Sequence, residues 1–251
     1  MAILLKDFDA PYLAARLNSE GFICLEDAIC EQWLSRARAH VEMLATQHSG
    51  RYFALNWPSR ETASPWHEMT NNPAIKALLL DLARLGCSRA TIEDEIYNVL
   101  RVVTGASGDA KSLAYHYDNT VITALVPVLI PKGPERKAGE LVAFANKRPY
   151  RSTVLHNILE KAVVQSKWFR KRVTDALPGG PMDEIKYLKP GNLYLFWGYR
   201  TYHANFPVKH DILRATFLMH QGDPHGGSLA LAAIKQLNLR RERRTRERVA
   251  A

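Results

Sequence analysis

The sequence predicts a mainly β fold with flanking helices, an antiparallel sandwich or jelly roll, and two observations carry that reading. Between residues 93 and 220, short runs rich in β-branched and apolar residues follow one another, separated by Pro, Gly, Asn and Asp turns. These runs do not alternate regularly with helical segments, which sets aside a doubly wound parallel sheet. A length of 251 residues fits one such domain with added helices rather than two. The expected organisation is a mostly helical part over 1–92 and a β core over 93–220 with a helical insertion at about 154–175. A C-terminal helix and basic tail over 226–251 complete it.

In the N-terminal part, Asp9–Leu17 and Ala28–Leu44 place apolar residues three and four apart, the spacing of an amphipathic helix. Between them, Gly21–Leu25 is a strand candidate. Asn72 and Pro73 open a further helix that runs to about Leu85, with proline in its first turn and Gly86 near its end. The core strand candidates are Ile96–Thr104, Val121–Ile130, Glu140–Phe144, Glu184–Leu188, Asn192–Trp197 and Ile212–Met219. Leu177-Pro178-Gly179-Gly180-Pro181 closes the helical insertion.

Composition is that of an ordinary soluble globular protein, 47% hydrophobic and 24% charged. The first ten residues carry only a short apolar run before Lys6 and Asp7, too little for a secretory signal. The longest mostly apolar stretch, Val121–Pro131, falls short of the ~20 residues a membrane helix needs. Cys24, Cys30 and Cys87 form no metal-type pair and read as buried free thiols in a reducing compartment, so a cytoplasmic location is expected. The net charge is +9, and residues 240–248 alone hold six arginines and two glutamates. A solvated helix end is the simpler reading of that tail; a tether to nucleic acid or an acidic surface is the alternative.

The chemistry resides in Tyr115-His116-Tyr117-Asp118. Residues two apart on a strand face one side, so His116 and Asp118 project together. An imidazole and a carboxylate side by side make two-thirds of the facial triad of non-haem Fe(II) oxygenases, which leaves coordination positions open. The third ligand must be a distant histidine, and the chain has nine. His40 and His48 fall in or just after a helix, His67 follows Pro65-Trp66 in a loop, and His156 opens the insertion. His203 instead follows the turn and strand Lys189–Trp197, and eleven residues later comes Arg214, with Thr216 on the same strand face. An arginine facing the inside of a barrel is costly unless it meets an anion. A dicarboxylate co-substrate supplies one, gripped by the guanidinium fork with help from the Thr216 hydroxyl.

His-X-Asp, a later His and an Arg about ten residues beyond it resemble the Fe(II)/2-oxoglutarate-dependent oxygenases. Gly21-Phe22-Ile23, Gly139-Glu140-Leu141-Val142 and Lys189-Pro190-Gly191-Asn192-Leu193 are similar to the phytanoyl-CoA dioxygenase-like branch. The resemblance implies a double-stranded β-helix, a cupin-like jelly roll, over roughly residues 10–225. It implies His116, Asp118 and His203 as iron ligands, and Arg214 with Thr216 at the far carboxylate of 2-oxoglutarate. It also implies Asn205 near the co-substrate, with Arg101 and Thr123 as further candidates. O2 is the oxidant. The implied activity is hydroxylation, desaturation or cyclisation of a small molecule in secondary metabolism or amino-acid modification. Two alternatives are an oxygenase acting on nucleic acid or protein through the basic tail, and a non-catalytic cupin-like metal-binding protein.

Asp118 stands where related halogenases carry a small residue, which points to oxidation without halide. His220 stands where nucleic-acid demethylases of the superfamily carry a second arginine. Gly105–Ser112 approaches a phosphate-binding loop, but Ala110 replaces a required glycine and no helix follows, so it reads as a loop between strands. Of the aromatic residues near the ligands, Tyr115, Trp197 and Tyr199 are candidates for the substrate pocket, and Tyr117 is expected to be structural.

Overall fold

A computed structural model describes residues 2–3, 8–104, 112–132, 138–150, 160, 163–164, 166–176, 184–208 and 212–226. Its helices begin where side chains satisfy the first free backbone N–H groups. Asp9 accepts from the Tyr12 amide at 2.9 Å and opens α1, Ala10–Ser19. Helix α2 spans Glu31–Gln47 and buries Trp33, Leu34, Ala37 and Val41. Ser64 caps the short α3, Pro65–Thr70. Asn72 accepts from the amides of Ala74 and Ile75 and opens α4, Pro73–Gly86, which buries Ile75, Leu78, Leu79, Leu82 and Ala83. Helix α5 covers Lys167–Ala176.

The strands are β1 Phe22–Leu25, β2 Phe53–Asn56, β3 Tyr97–Val103, β4 Ile122–Leu129, β5 Leu141–Phe144, β6 Ile185–Lys186, β7 Leu193–Phe196, β8 Tyr202–Asn205 and β9 Arg214–Gln221. All named pairings are antiparallel. They form a six-stranded sheet in the order β1-β7-β4-β9-β3-β2 and a three-stranded sheet in the order β6-β5-β8. A single bridge, His116 to His203, adds the segment around His116 to the free edge of β8.

Period-2 alternation sorts the apolar side chains into three layers. One face of the large sheet, including Leu100, Val102, Ala124, Val126, Ala215, Phe217 and Met219, packs with residues of α1–α4. Its other face contributes Leu125, Tyr194, Phe196 and Leu218, which meet Leu141, Ala143 and Leu188 between the sheets. The far face of the small sheet carries Tyr115, Tyr117, Val142, Tyr202 and Ala204, partly covered by Phe169 and Val173 of α5. Each fully buried Leu, Ile or Phe in these layers contributes about 1.5–3 kcal/mol. The result is the expected mainly β jelly roll with flanking helices.

Several details differ from the sequence reading. Strand β2 and helix α3 were not among the candidates, β8 was expected only as a strand face shared by His203 and Asn205, without bounds, and His67 sits in α3 rather than a loop. Of the cysteines only Cys87 is buried; Cys24 and Cys30 are partly exposed, and all three are free thiols. The start of the expected insertion, its Leu177–Pro181 closure, most of the 105–112 loop and the tail over 227–251 lie outside the described residues. Among the described residues, no helix is long and apolar enough to cross a membrane.

Candidate metal centre

His116 and His203 are held by each other's backbones: each amide donates to the other's carbonyl at 3.0 Å. The sequence reading placed His116 and Asp118 on a strand. The structure gives instead an extended segment tied by that one bridge, by the Leu113 amide to the Asn205 carbonyl, and by the Asp118 amide to the Gly198 carbonyl at 3.0 Å. Leu113 has φ 52°, in the left-handed region, and this breaks the ladder before His116. Alternation still holds locally, because Tyr115 and Tyr117 pack on the far side of the small sheet.

The ligating atoms of His116, Asp118 and His203 lie within 4.8 Å of one another, a set able to hold a metal ion. Asp118 Oδ1 is 3.7 Å from His116 Nε2 and 3.8 Å from His203 Nε2. Each Nδ1 meets a carbonyl two residues upstream, Ala114 for His116 at 2.9 Å and Thr201 for His203 at 3.1 Å. A carbonyl only accepts, so both Nδ1 atoms carry the proton and both Nε2 lone pairs face the centre. Burial, reinforced by His203, pushes the His116 imidazole down to about 3. Burial alone would raise the Asp118 carboxyl, but His203, His220, His116 and the Thr123 hydroxyl together hold it below the usual range. A neutral His116 imidazole beside an ionised carboxylate suits a divalent ion.

Arg214 lies on β9 facing between the sheets and is 1% exposed. Among the described residues its Nε and Nη1 make no hydrogen bond. Burial, then the neighbouring Arg101, lower its pKa to about 9, with Glu140 acting in the opposite sense. The β3–β9 register sets Arg101 directly opposite Thr216, and one cleft is bordered by Tyr52, Arg101, Ser112, Asn205 and Arg214. Asn205 donates from Nδ2 to the Gly139 carbonyl at 3.2 Å. Gly139 has φ 74°, and a Cβ there would come within 2.4 Å of Arg214 Cδ, so glycine makes room for the arginine stem. Two cations face each other here with one nearby carboxylate, an arrangement suited to a dianion.

The structure does not bring the three aromatic candidates to the His116, Asp118 and His203 cluster. Tyr115 stacks on Tyr202, centroids 5.2 Å apart, because odd positions of the His116 segment face away. Trp197 belongs to the helix-side core and donates from Nε1 to Asn18 Oδ1 at 3.0 Å. Tyr199 stacks with Tyr150, and the Arg148 guanidinium lies over its ring at 4.0 Å. Thr123 is committed elsewhere than expected: its hydroxyl donates to Asp118 Oδ2 at 2.6 Å. His220, absent from the sequence candidates, stands behind it, Nδ1 3.0 Å from Thr123 Oγ1. Continuing the alternation 214, 216, 218, 220 along β9 is the signal that would have found it.

The sequence matches no family model, and it matches no curated protein. Solved structures do match. The non-heme alpha ketoglutarate dependent carbocyclase SnoK from nogalamycin biosynthesis aligns with TM-score 0.54 and 12% identity, over 87% of each chain. The alpha ketoglutarate dependent epimerase SnoN of the same biosynthesis aligns with TM-score 0.57 and 14% identity, over 85% of this chain and 83% of its own. SnoN is also known in complex with Fe3+, alpha ketoglutarate and nogalamycin RO. A Pseudomonas putida prolyl-4-hydroxylase aligns with TM-score 0.52 and 12% identity, over 88% of this chain and 98% of its own. At these identities what is shared is the fold.

Proposed function

We propose that the chain is an Fe(II)- and 2-oxoglutarate-dependent oxygenase acting on a small molecule. One observation carries the reading. Two histidines with free Nε2 lone pairs and a carboxylate converge within 4.8 Å, in the same interior as a buried arginine with unbonded N–H groups. A bound iron would supply O2 activation coupled to decarboxylation of 2-oxoglutarate to succinate. His116, Asp118 and His203 hold the ion. Arg214 grips the distal carboxylate, the Thr216 hydroxyl adds a bond to it, and Arg101 and Asn205 flank the co-substrate. The apolar layer between the sheets keeps water from the slot behind it. Asp118 fills the position a halide would need, so the product is oxidised without halide. The fold shared with SnoK, SnoN and a prolyl-4-hydroxylase supports this class, and the small-molecule complex of SnoN supports the substrate type. Three free thiols fit a cytoplasmic setting.

The test is succinate release with Fe(II), 2-oxoglutarate and O2. His116→Ala and Asp118→Ala should abolish it. Turnover that survives either change refutes the assignment, and a wild-type protein that consumes no 2-oxoglutarate supports a metal-binding role without catalysis.

A further inference from the structure

We propose that His220, acting through Thr123, holds the second oxygen of Asp118 away from the metal, so that the carboxylate presents a single oxygen. The inference rests on the iron site proposed above and deepens it.

The two carboxylate oxygens are differently engaged. Oδ1 faces both imidazole Nε2 atoms, at 3.7 and 3.8 Å. Oδ2 takes the Thr123 hydroxyl proton at 2.6 Å. A hydroxyl has one proton to give, so at 3.0 Å the Thr123 oxygen must accept from His220 Nδ1–H. That fixes the His220 tautomer and denies the hydroxyl any other acceptor. His220 Nδ1 is itself 3.7 Å from Oδ2, beyond hydrogen-bond reach, so its hydrogen-bonded hold on that oxygen runs through Thr123. The Thr120 hydroxyl, 3.4 Å from the same Nδ1, is a weaker second neighbour.

The row is built by strand register. Thr123 on β4 is directly opposite His220 on β9, which is opposite Tyr97 on β3. The Tyr97 ring stacks on His220 at 5.6 Å and 27°, and its hydroxyl donates to Asn56 Oδ1 at 2.7 Å. Gly198 closes the other side. A Cβ there would lie 2.4 Å from Thr123 Oγ1 and 2.8 Å from Asp118 Oδ2, so only glycine fits over the bridge. A carboxylate that bound through both oxygens would occupy one more position on the ion; restrained to one, it leaves those positions open for co-substrate and O2. His220 touches neither metal nor substrate and is a positioning residue.

The probe is Co(II) alone with the full chain, read as affinity and as the intensity of its visible absorption, which falls as coordination number rises. Thr123→Val should weaken Co(II) binding about 10- to 100-fold, the usual effect of losing a group behind a ligand, and lower the absorption intensity. Thr123→Ser should restore both. His220→Leu should move both readouts in the same direction, whereas His220→Asn, which keeps an N–H near the Nδ1 position, should stay close to wild type. Melting temperatures identify variants that fail to fold, and the His220→Asn and His220→Leu pair then decides. Wild-type affinity and spectrum in both Thr123→Val and His220→Leu overturn the proposal, as does a serine that fails to rescue. If wild type binds no Co(II), or His116→Ala binds it unchanged, the iron assignment itself falls and takes this proposal with it.

Discussion

Replacing Arg214 with methionine should stabilise the unliganded protein while removing its response to 2-oxoglutarate. The guanidinium is 1% exposed, faces Arg101, and leaves Nε and Nη1 without hydrogen bonds among the described residues. A fall in pKa from 12.5 to about 9 corresponds to a ceiling of about 5 kcal/mol spent keeping the charge inside, at ~1.36 kcal/mol per unit. Local relaxation reduces this, and exchanging a buried ion for an apolar group of similar volume typically gains about 1–4 kcal/mol. Methionine keeps the stem that passes Gly139. In a domain this large, Tm should rise by roughly 2–4 °C per kcal/mol. At about 100 times its Kd, 2-oxoglutarate should add ~2.7 kcal/mol to the metal-loaded wild type and nothing to the variant. Thermal unfolding with and without ligand measures both effects. A variant that is less stable and still stabilised by 2-oxoglutarate would refute the reasoning, because Arg214 would then be paired internally and not be the anion-binding group.

Two further outcomes follow. The His116 imidazole has a folded pKa depressed to about 3 against 6.5 when free, so the unfolded chain takes up its proton first as pH falls. Stability of the metal-free protein should therefore be full above pH ~6.5 and decline below it, by about 2 kcal/mol at pH 5 for a fully shielded group. His116 keeps 27% of its side chain exposed, which trims the loss to about 1–2 kcal/mol; urea midpoints that do not move between pH 8 and 5 would contradict this. Gly86→Ala should cost about 1–3 kcal/mol by overpacking, because its Cβ would lie 2.6 Å from the Trp197 ring. Co(II) affinity should not change in that variant, and a large loss of metal would place Trp197 at the site after all.

Much of the large sheet was legible because its strands follow ordinary chemistry. Strands β3, β4, β7 and β9 are long or strongly apolar, and turns bound them. Strand β8 held His203 and Asn205 on one face as expected, but its bounds were not legible for a physical reason. Its inward positions are His203 and Asn205, and its outward positions, Tyr202 and Ala204, pack in the far-side layer. A strand that lines a polar site inverts the pattern by which strands are recognised. Strand β2 is four residues long and half-buried, and α3 is a single capped turn and a half, both below what periodicity resolves. Within the site, spacing located His116 and Asp118 and the interval to Arg214 singled out His203. Spacing says nothing of which hydroxyl a neighbour captures, so Thr123 and His220 became intelligible only once three strands were set in register. Trp197 and Tyr199 are close to His203 along the chain but separated from the His116, Asp118 and His203 cluster by the direction in which each side chain leaves the backbone.

The reciprocal pair of amide hydrogen bonds between His116 and His203 joins two of the proposed ligands, not two scaffold residues. The distance between the imidazoles is thus dictated by backbone pairing at one bridge, steadied on either side only by the Leu113–Asn205 and Asp118–Gly198 hydrogen bonds. A slip by one residue would turn one ring to the wrong side of its partner, and a slip by two would no longer set the two histidines opposite each other. On the proposed ligand set, misalignment of this edge and loss of the ion would therefore be one event. An ion that binds only the correctly aligned form acts as a proofreader of the chain's own pairing, rewarding the right alignment with its binding energy and leaving every wrong one unrewarded.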